Sequence, residues 1–137
     1  MIAVERTVAA PPERVFDFLA DLRNHWRLER RFLELDELGE DGGTIRLKGP
    51  LGLSRTVQTR VLEAERPVRV AGRADLRGGT VGLVAWHIRP SGSGSIVRLS
   101  AEVPEASLWD RLFLALGGRA WFKGLFRRAL ENLDTVA

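Results

Sequence analysis

Residues 2–8 alternate, with Ile2, Val4 and Val8 on one face and Arg6 sharing it; this period of two predicts a first strand. At "AAPPERVFDFLAD" the period changes. Pro11 and Pro12 suit a helix entrance, Glu13 favours the first turn, and Val15, Phe16 and Leu19 form an apolar stripe, so a short amphipathic helix follows. Asp21 then precedes Leu22-Arg23-Asn24-His25-Trp26. Its carboxylate is placed to accept from the free backbone N–H groups of a second short helix.

From about residue 32 the pattern becomes strands separated by turns that carry glycine or proline where tight reversals need them. Phe32 to Leu38, Thr44 to Lys48, Ser54 to Ala64, Val68 to Asp75, Thr80 to Arg89 and Ser95 to Val103 read as six strands after the first. The connections are too short for helical crossovers, which predicts antiparallel pairing throughout. Alternation sorts the faces. Val57, Thr59 and Val61 oppose Gln58 and Arg60, while Val68, Val70 and Gly72 oppose Arg69 and Arg73. Val97, Leu99 and Ala101 oppose Arg98 and Glu102. In the sixth strand Val84, Trp86 and Ile88 form one set, and His87 falls in the other, which ends in charge; Trp86 is placed inside and His87 outside.

Helical spacing returns over residues 107–134, with Ser107 as cap and Asp110 in the first turn. In one continuous helix Leu108, Leu112, Ala115, Phe122, Phe126, Ala129 and Leu133 share a stripe. Arg119 falls on that stripe, and Trp109, Phe113 and Trp121 fall off it. Gly117-Gly118 is the weak point, because each glycine costs about 1 kcal/mol of helix stability relative to alanine. A break there would turn Arg119 to solvent.

Composition narrows the picture. The chain has 137 residues, 45% of them hydrophobic and 28% charged, enough for one core and too few for two, so residues 1–137 read as a single domain. There is no cysteine, which removes disulfides, zinc-thiolate sites and thiol nucleophiles and fits a reducing compartment. No signal-peptide-like or membrane-length apolar run occurs, so a cytoplasmic location is the expectation. The net charge of +3 is mildly basic and does not by itself select an anionic partner.

Candidate chemistry is sparse. No spacing of histidines and carboxylates fits a metal, and no serine sits in a nucleophile elbow, so neither metal catalysis nor a hydrolase triad is expected. His25, beside Trp26 in "ADLRNHWRLERRF", is a weak catalytic candidate set against a solvated helix end. Trp26 and Trp86 offer large apolar surfaces for a ligand or for a core. Arg6 and Arg119 are sharper, because a buried guanidinium needs a carboxylate, water or an anionic head group. Arg23, Arg27, Arg30, Arg31, Lys123, Arg127 and Arg128 are cationic, yet no nucleic-acid-binding motif accompanies them, and no nucleic acid is expected as partner.

The whole order, strand, short helices, six strands and a long closing helix, resembles the helix-grip fold of the START and birch-pollen-allergen (SRPBCC) superfamily. "VERTVAAPPERVFDFLAD" is similar to its entry signature, "VLEAERPVRV" to its proline-turn hairpin, and "AWHIRPSGSGSIVRLSAEV" to its tryptophan strand, glycine turn and final strand. Within the superfamily the chain looks most like bacterial polyketide cyclase/dehydrase-type members. The resemblance implies an α+β fold in which a curved seven-stranded antiparallel sheet wraps a long C-terminal helix, two short helices joining strands 1 and 2. It also implies an apolar cavity for a lipid-like, fatty-acid-like or polyketide-like ligand, without a cofactor. The residues placed at that cavity are Arg6, Trp26, Val57, Thr59, Val70, Trp86, Leu112, Arg119 and Phe122. Carrier or sensor is the first reading. A cyclase/dehydratase-like enzyme is the second, and a peripheral membrane or homodimer surface the third.

Overall fold

The computed structural model describes residues 2–21, 23–24, 28, 33–38, 42–48, 54–76 and 79–136. Its described elements are β1 (Ile2–Val8), α1 (Pro12–Leu19), β2 (Leu33–Leu38), β3 (Gly42–Lys48), β4 (Ser54–Glu65), β5 (Arg69–Leu76), β6 (Thr80–Ser91), β7 (Gly94–Glu105), α2 (Leu108–Phe113) and α3 (Arg119–Val136). The strands form one open antiparallel sheet in the order β1-β7-β6-β5-β4-β3-β2. Each neighbour but the β1–β7 pair is sequential. The short turns force this arrangement, since a hairpin can only reverse direction.

Local chemistry sets the helices. Pro11 adopts φ −68°, ψ 159° ahead of α1, Pro12 occupies its first position, and Val15, Phe16 and Leu19 are buried. Asp21 acts as the cap its position predicts: its Oδ1 accepts the Arg23 N–H at 3.0 Å, and its other oxygen takes the Arg23 guanidinium at 2.6 Å. Arg23, Asn24 and Leu28 are helical.

The core sits at one end of the sheet. Val4 and Val8 of β1, Val97 and Leu99 of β7, Trp86 and Ile88 of β6, and Val70 of β5 meet Val15, Phe16 and Leu19 of α1 and Ala129, Leu130 and Leu133 of α3. Register puts these strand residues on one face, here called inner, because Val4 opposes Leu99, Leu99 opposes Trp86, and Trp86 opposes Val70. His87, Arg98 and Glu102 alternate to the outer face and are exposed. Val68 departs from its predicted inward position. It belongs to the turn before β5, where its N–H donates to Glu65 O at 2.7 Å, and 48% of its surface is exposed.

The closing helix is not continuous. Between α2 and α3, Leu116 takes φ −94°, ψ 19° and Gly117 takes φ +115°. Gly117 supplies the left-handed backbone that other residues rarely adopt. Gly118 supplies closeness, because a Cβ there would lie 2.6 Å from the Phe113 ring and 2.7 Å from its carbonyl. The two glycines therefore build a kink. It removes Leu108 and Leu112 from the apolar stripe on which an unbroken helix would place them, leaving them 78% and 47% exposed.

Candidate functional site

The inner face changes character away from the core. On β4 to β6 it presents Arg55, Val57, Thr59 and Val61, then Gly72, Ala74 and Leu76, then Thr80, Gly82 and Val84. Gly72, Ala74 and Gly82 are small, and a Cβ added at Gly82 meets nothing closer than Ala74 at 3.9 Å. Half-buried aromatic side chains gather on the helical side of the molecule: Phe113 lies edge-on to Trp121 and Phe122, with ring centroids 6.3 Å apart in both pairs, and Phe122 continues to Phe126 at 6.4 Å. Phe126, Val61 and Val84 pack against the border of the core.

A polar cluster closes the far end of this face. Ser107 caps α2, its Oγ accepting the Asp110 N–H at 3.3 Å and donating to Asp110 Oδ2 at 3.0 Å. Thr80 accepts the Ser107 N–H at 3.0 Å on its hydroxyl, which in turn donates to Asp110. The Arg55 guanidinium donates to the other Asp110 oxygen. Burial pushes the Asp110 carboxyl up, but hydrogen bonds from Thr80, Ser107 and Arg55, together with the Arg55 charge, outweigh that and hold it below its ordinary 3.8. The cluster pins α2 to β4 and β6.

That direction fixes a pH dependence. A carboxylate whose pKa is depressed on folding stabilises the fold above its unfolded value, and the contribution disappears as pH falls through the folded value. The melting temperature of Asp110→Asn should therefore lie below that of the parent chain above about pH 5, and the gap should close as pH drops below about 4. Thermal melts across that range check it; a gap that widens in acid would contradict the arrangement.

The residues singled out from the sequence divide into groups. Val57, Thr59, Val70 and Trp86 share the inner face; Val57, Val70 and Trp86 are only 2–5% exposed, as wall or core, and Thr59 is half-buried. Phe122 joins the aromatic group. Arg6 does not enter this region. It lies at the sheet edge, 3.4 Å from Asp134 near the end of α3, whose other oxygen accepts the Ala9 N–H at 3.0 Å. Leu112 and Arg119 are exposed, Arg119 because the kink turns it outward. Trp26 and His25 lie outside the described residues. Arg55 and Thr80 were missed by sequence reasoning. Arg55 carries a legible signal, being two residues before Val57 and hence on its face, whereas the pairing with Asp110 is tertiary.

An open hollow of about 440 Å³ is lined by Gly43, Thr44, Gln58, Thr59, Arg60 and Asp75. Thr44, Gln58 and Asp75 are register partners on the outer face. Its polar lining does not match the apolar space that the family resemblance implies. Among the described residues no group of three or more histidines or carboxylates could hold a metal ion, and no helix is long and apolar enough to cross a membrane.

An open antiparallel sheet backed by a long, kinked C-terminal helix defines a recognisable class of α+β proteins. The chain matches TTHA0849 from Thermus thermophilus with a TM-score of 0.70 and 18% identity, covering 98% of this chain and 94% of that one. Protein MLL2253 from Mesorhizobium loti matches with a TM-score of 0.66 and 16% identity, covering 99% and 98%. DynU16, a protein in the dynemicin biosynthetic locus, matches with a TM-score of 0.64 and 17% identity, covering 98% of this chain but 45% of that longer one. At such identities these likenesses establish the fold. The family is established by sequence: residues 1–137 match the model described as polyketide cyclase / dehydrase and lipid transport, and the chain belongs to that family. Among curated proteins none matches.

Proposed function

We propose that this chain is a helix-grip binder of one small hydrophobic molecule, lipid-like or polyketide-like, held between the inner face of β4–β6 and the aromatic side chains of α2 and α3, as a carrier or sensor. One observation carries the reading. Gly72, Ala74 and Gly82 lie on the inner face of adjacent strands, while Phe113, Trp121, Phe122 and Phe126 cluster on the helices. Small residues on one wall and large, half-buried apolar ones on the other suit a ligand site that is mostly apolar with few fixed polar groups. Arg55, held by Asp110 at the end of that face, is the polar group best placed to orient a carbonyl or carboxylate. The pairing of cyclase/dehydrase chemistry with lipid transport in the family description supports the same ligand class.

Arg55 also favours a second reading, a cyclase/dehydratase-like enzyme in which its guanidinium polarises a ligand carbonyl. Native mass spectrometry separates the two. A carrier purified from its source should retain one apolar molecule per chain, lost on denaturation and recovered in an organic extract. An enzyme should release its product and carry no such mass, and that result would overturn the carrier reading.

A further inference from the structure

The structure leaves an unusual group of side chains uncovered at one end. Leu108, Trp109 and Leu116 are each 78% exposed and Leu112 is 47% exposed, all within α2 and the kink that follows it. A patch of large apolar side chains at this density is rare on a chain that works alone in water. Asp110 of the same helix does not soften it, because both its oxygens are turned inward to Arg55, Thr80 and Ser107. Arg111, Arg119 and Lys123 are exposed in α2 and the first turns of α3, against one exposed carboxylate, Glu105, just before α2, and none of the three cations is in an ion pair among the described residues.

We propose that α2 and the kink form a docking surface for an anionic lipid membrane, with Leu108, Trp109, Leu112 and Leu116 entering the interface and Arg111, Arg119 and Lys123 meeting the head groups. Exposed apolar side chains accompanied by an excess of cations are the combination that holds peripheral helices to anionic bilayers, and tryptophan suits the boundary between head groups and tails. A second copy of the chain fits this patch poorly. Twofold pairing would bring together two copies of a patch whose flanking charge is mostly cationic, Arg111, Arg119 and Lys123 against Glu105 alone, with little opposite charge to offset it during desolvation. The Asp110 cluster contributes by fixing α2 to the sheet end with this face outward. The inference is independent of the bound-ligand reading, since its test uses empty vesicles and no added ligand.

Co-sedimentation with vesicles of phosphatidylcholine alone and of phosphatidylcholine with phosphatidylglycerol tests it. The chain should partition to the anionic vesicles at least tenfold more strongly, with about fivefold lost for each cation neutralised in Arg119→Gln and Lys123→Gln, and the preference should shrink with added salt. Trp109→Ser should abolish partitioning without changing the circular dichroism melt, since the side chain is exposed; Leu116→Ser provides a second, independent variant. Equal partitioning to both vesicle types, or none to either, would overturn the proposal. So would self-association in sedimentation equilibrium that Trp109→Ser removes, because the patch would then be a dimer face.

Discussion

Gly94→Ala should lower the stability of the fold by on the order of 3 kcal/mol, the upper part of the range for overfilling a packed interior. A Cβ at this buried position would lie 2.3 Å from the Val8 carbonyl oxygen and 3.1 Å from that of Ala9. The obstructing atoms are backbone, so no side-chain rotation relieves the contact. Nor is the segment free to retreat. Val8 is paired with Ser95 across β1 and β7, and the buried Ser95 hydroxyl donates to Ala10 O at 2.7 Å. The strand end and the entrance to α1 are therefore stitched over Gly94 from both sides. A thermal melt should show a drop of about 10 °C, whereas Ser93→Ala in the adjoining exposed turn should stay within about 0.5 kcal/mol of the parent. Unchanged melting of Gly94→Ala would mean that the chain does not cross so closely there.

Much of the architecture was legible along the chain, for identifiable physical reasons. Turn chemistry locates the reversal between β6 and β7 but not its ends, since β6 continues through Pro90 to Ser91 and β7 begins at Gly94, while alternation puts Trp86 and His87 on opposite sides, as the structure has them. The entrance to α1 was readable from Pro11, Pro12 and Glu13 because their effects are local. Val68 was misplaced because alternation continues through a turn that ends it. Alternation gives Arg6 the inward face, but at an edge strand a long side chain is free to reach out to Asp134. The site was less legible. Whether Arg119 and Leu112 belong to it depends on the torsions at Leu116 and Gly117, and two adjacent glycines permit both a continuous and a kinked helix. The Arg55–Asp110 pair joins residues 55 positions apart, and no periodicity reports which cation a given carboxylate will meet.

The two halves of α3 consequently differ in role. Leu130 and Leu133 are at most 1% exposed and lock the helix to the core. Trp121 and Phe122, nearer the kink, are only half-buried and belong to the aromatic group over which a ligand is proposed to bind. Stability should reside at one end and binding at the other.

The second large effect belongs to that binding end. Gly82→Leu should place a branched apolar side chain on the inner face where a Cβ finds only ordinary contact with Ala74 at 3.9 Å. The volume it fills is the volume a bound apolar molecule would need. The proposed site would draw its affinity from burying apolar surface, at about 25 cal/mol per Å², so excluding even a four-carbon segment should weaken binding at least tenfold. The melt of the variant should remain within a few degrees of the parent, because leucine occupies space instead of displacing backbone. Ala74→Leu, across the β5–β6 pair, should reproduce the loss.

The direct measurement is a fluorescence titration of the chain and of Gly82→Leu with a polyene fatty acid that emits only in an apolar environment. Saturable binding at one molecule per chain, lost in a Gly82→Leu variant that melts normally, is the predicted result. Equal affinity of the two folded proteins for the probe would contradict a ligand site between β4–β6 and the aromatic side chains of α2 and α3.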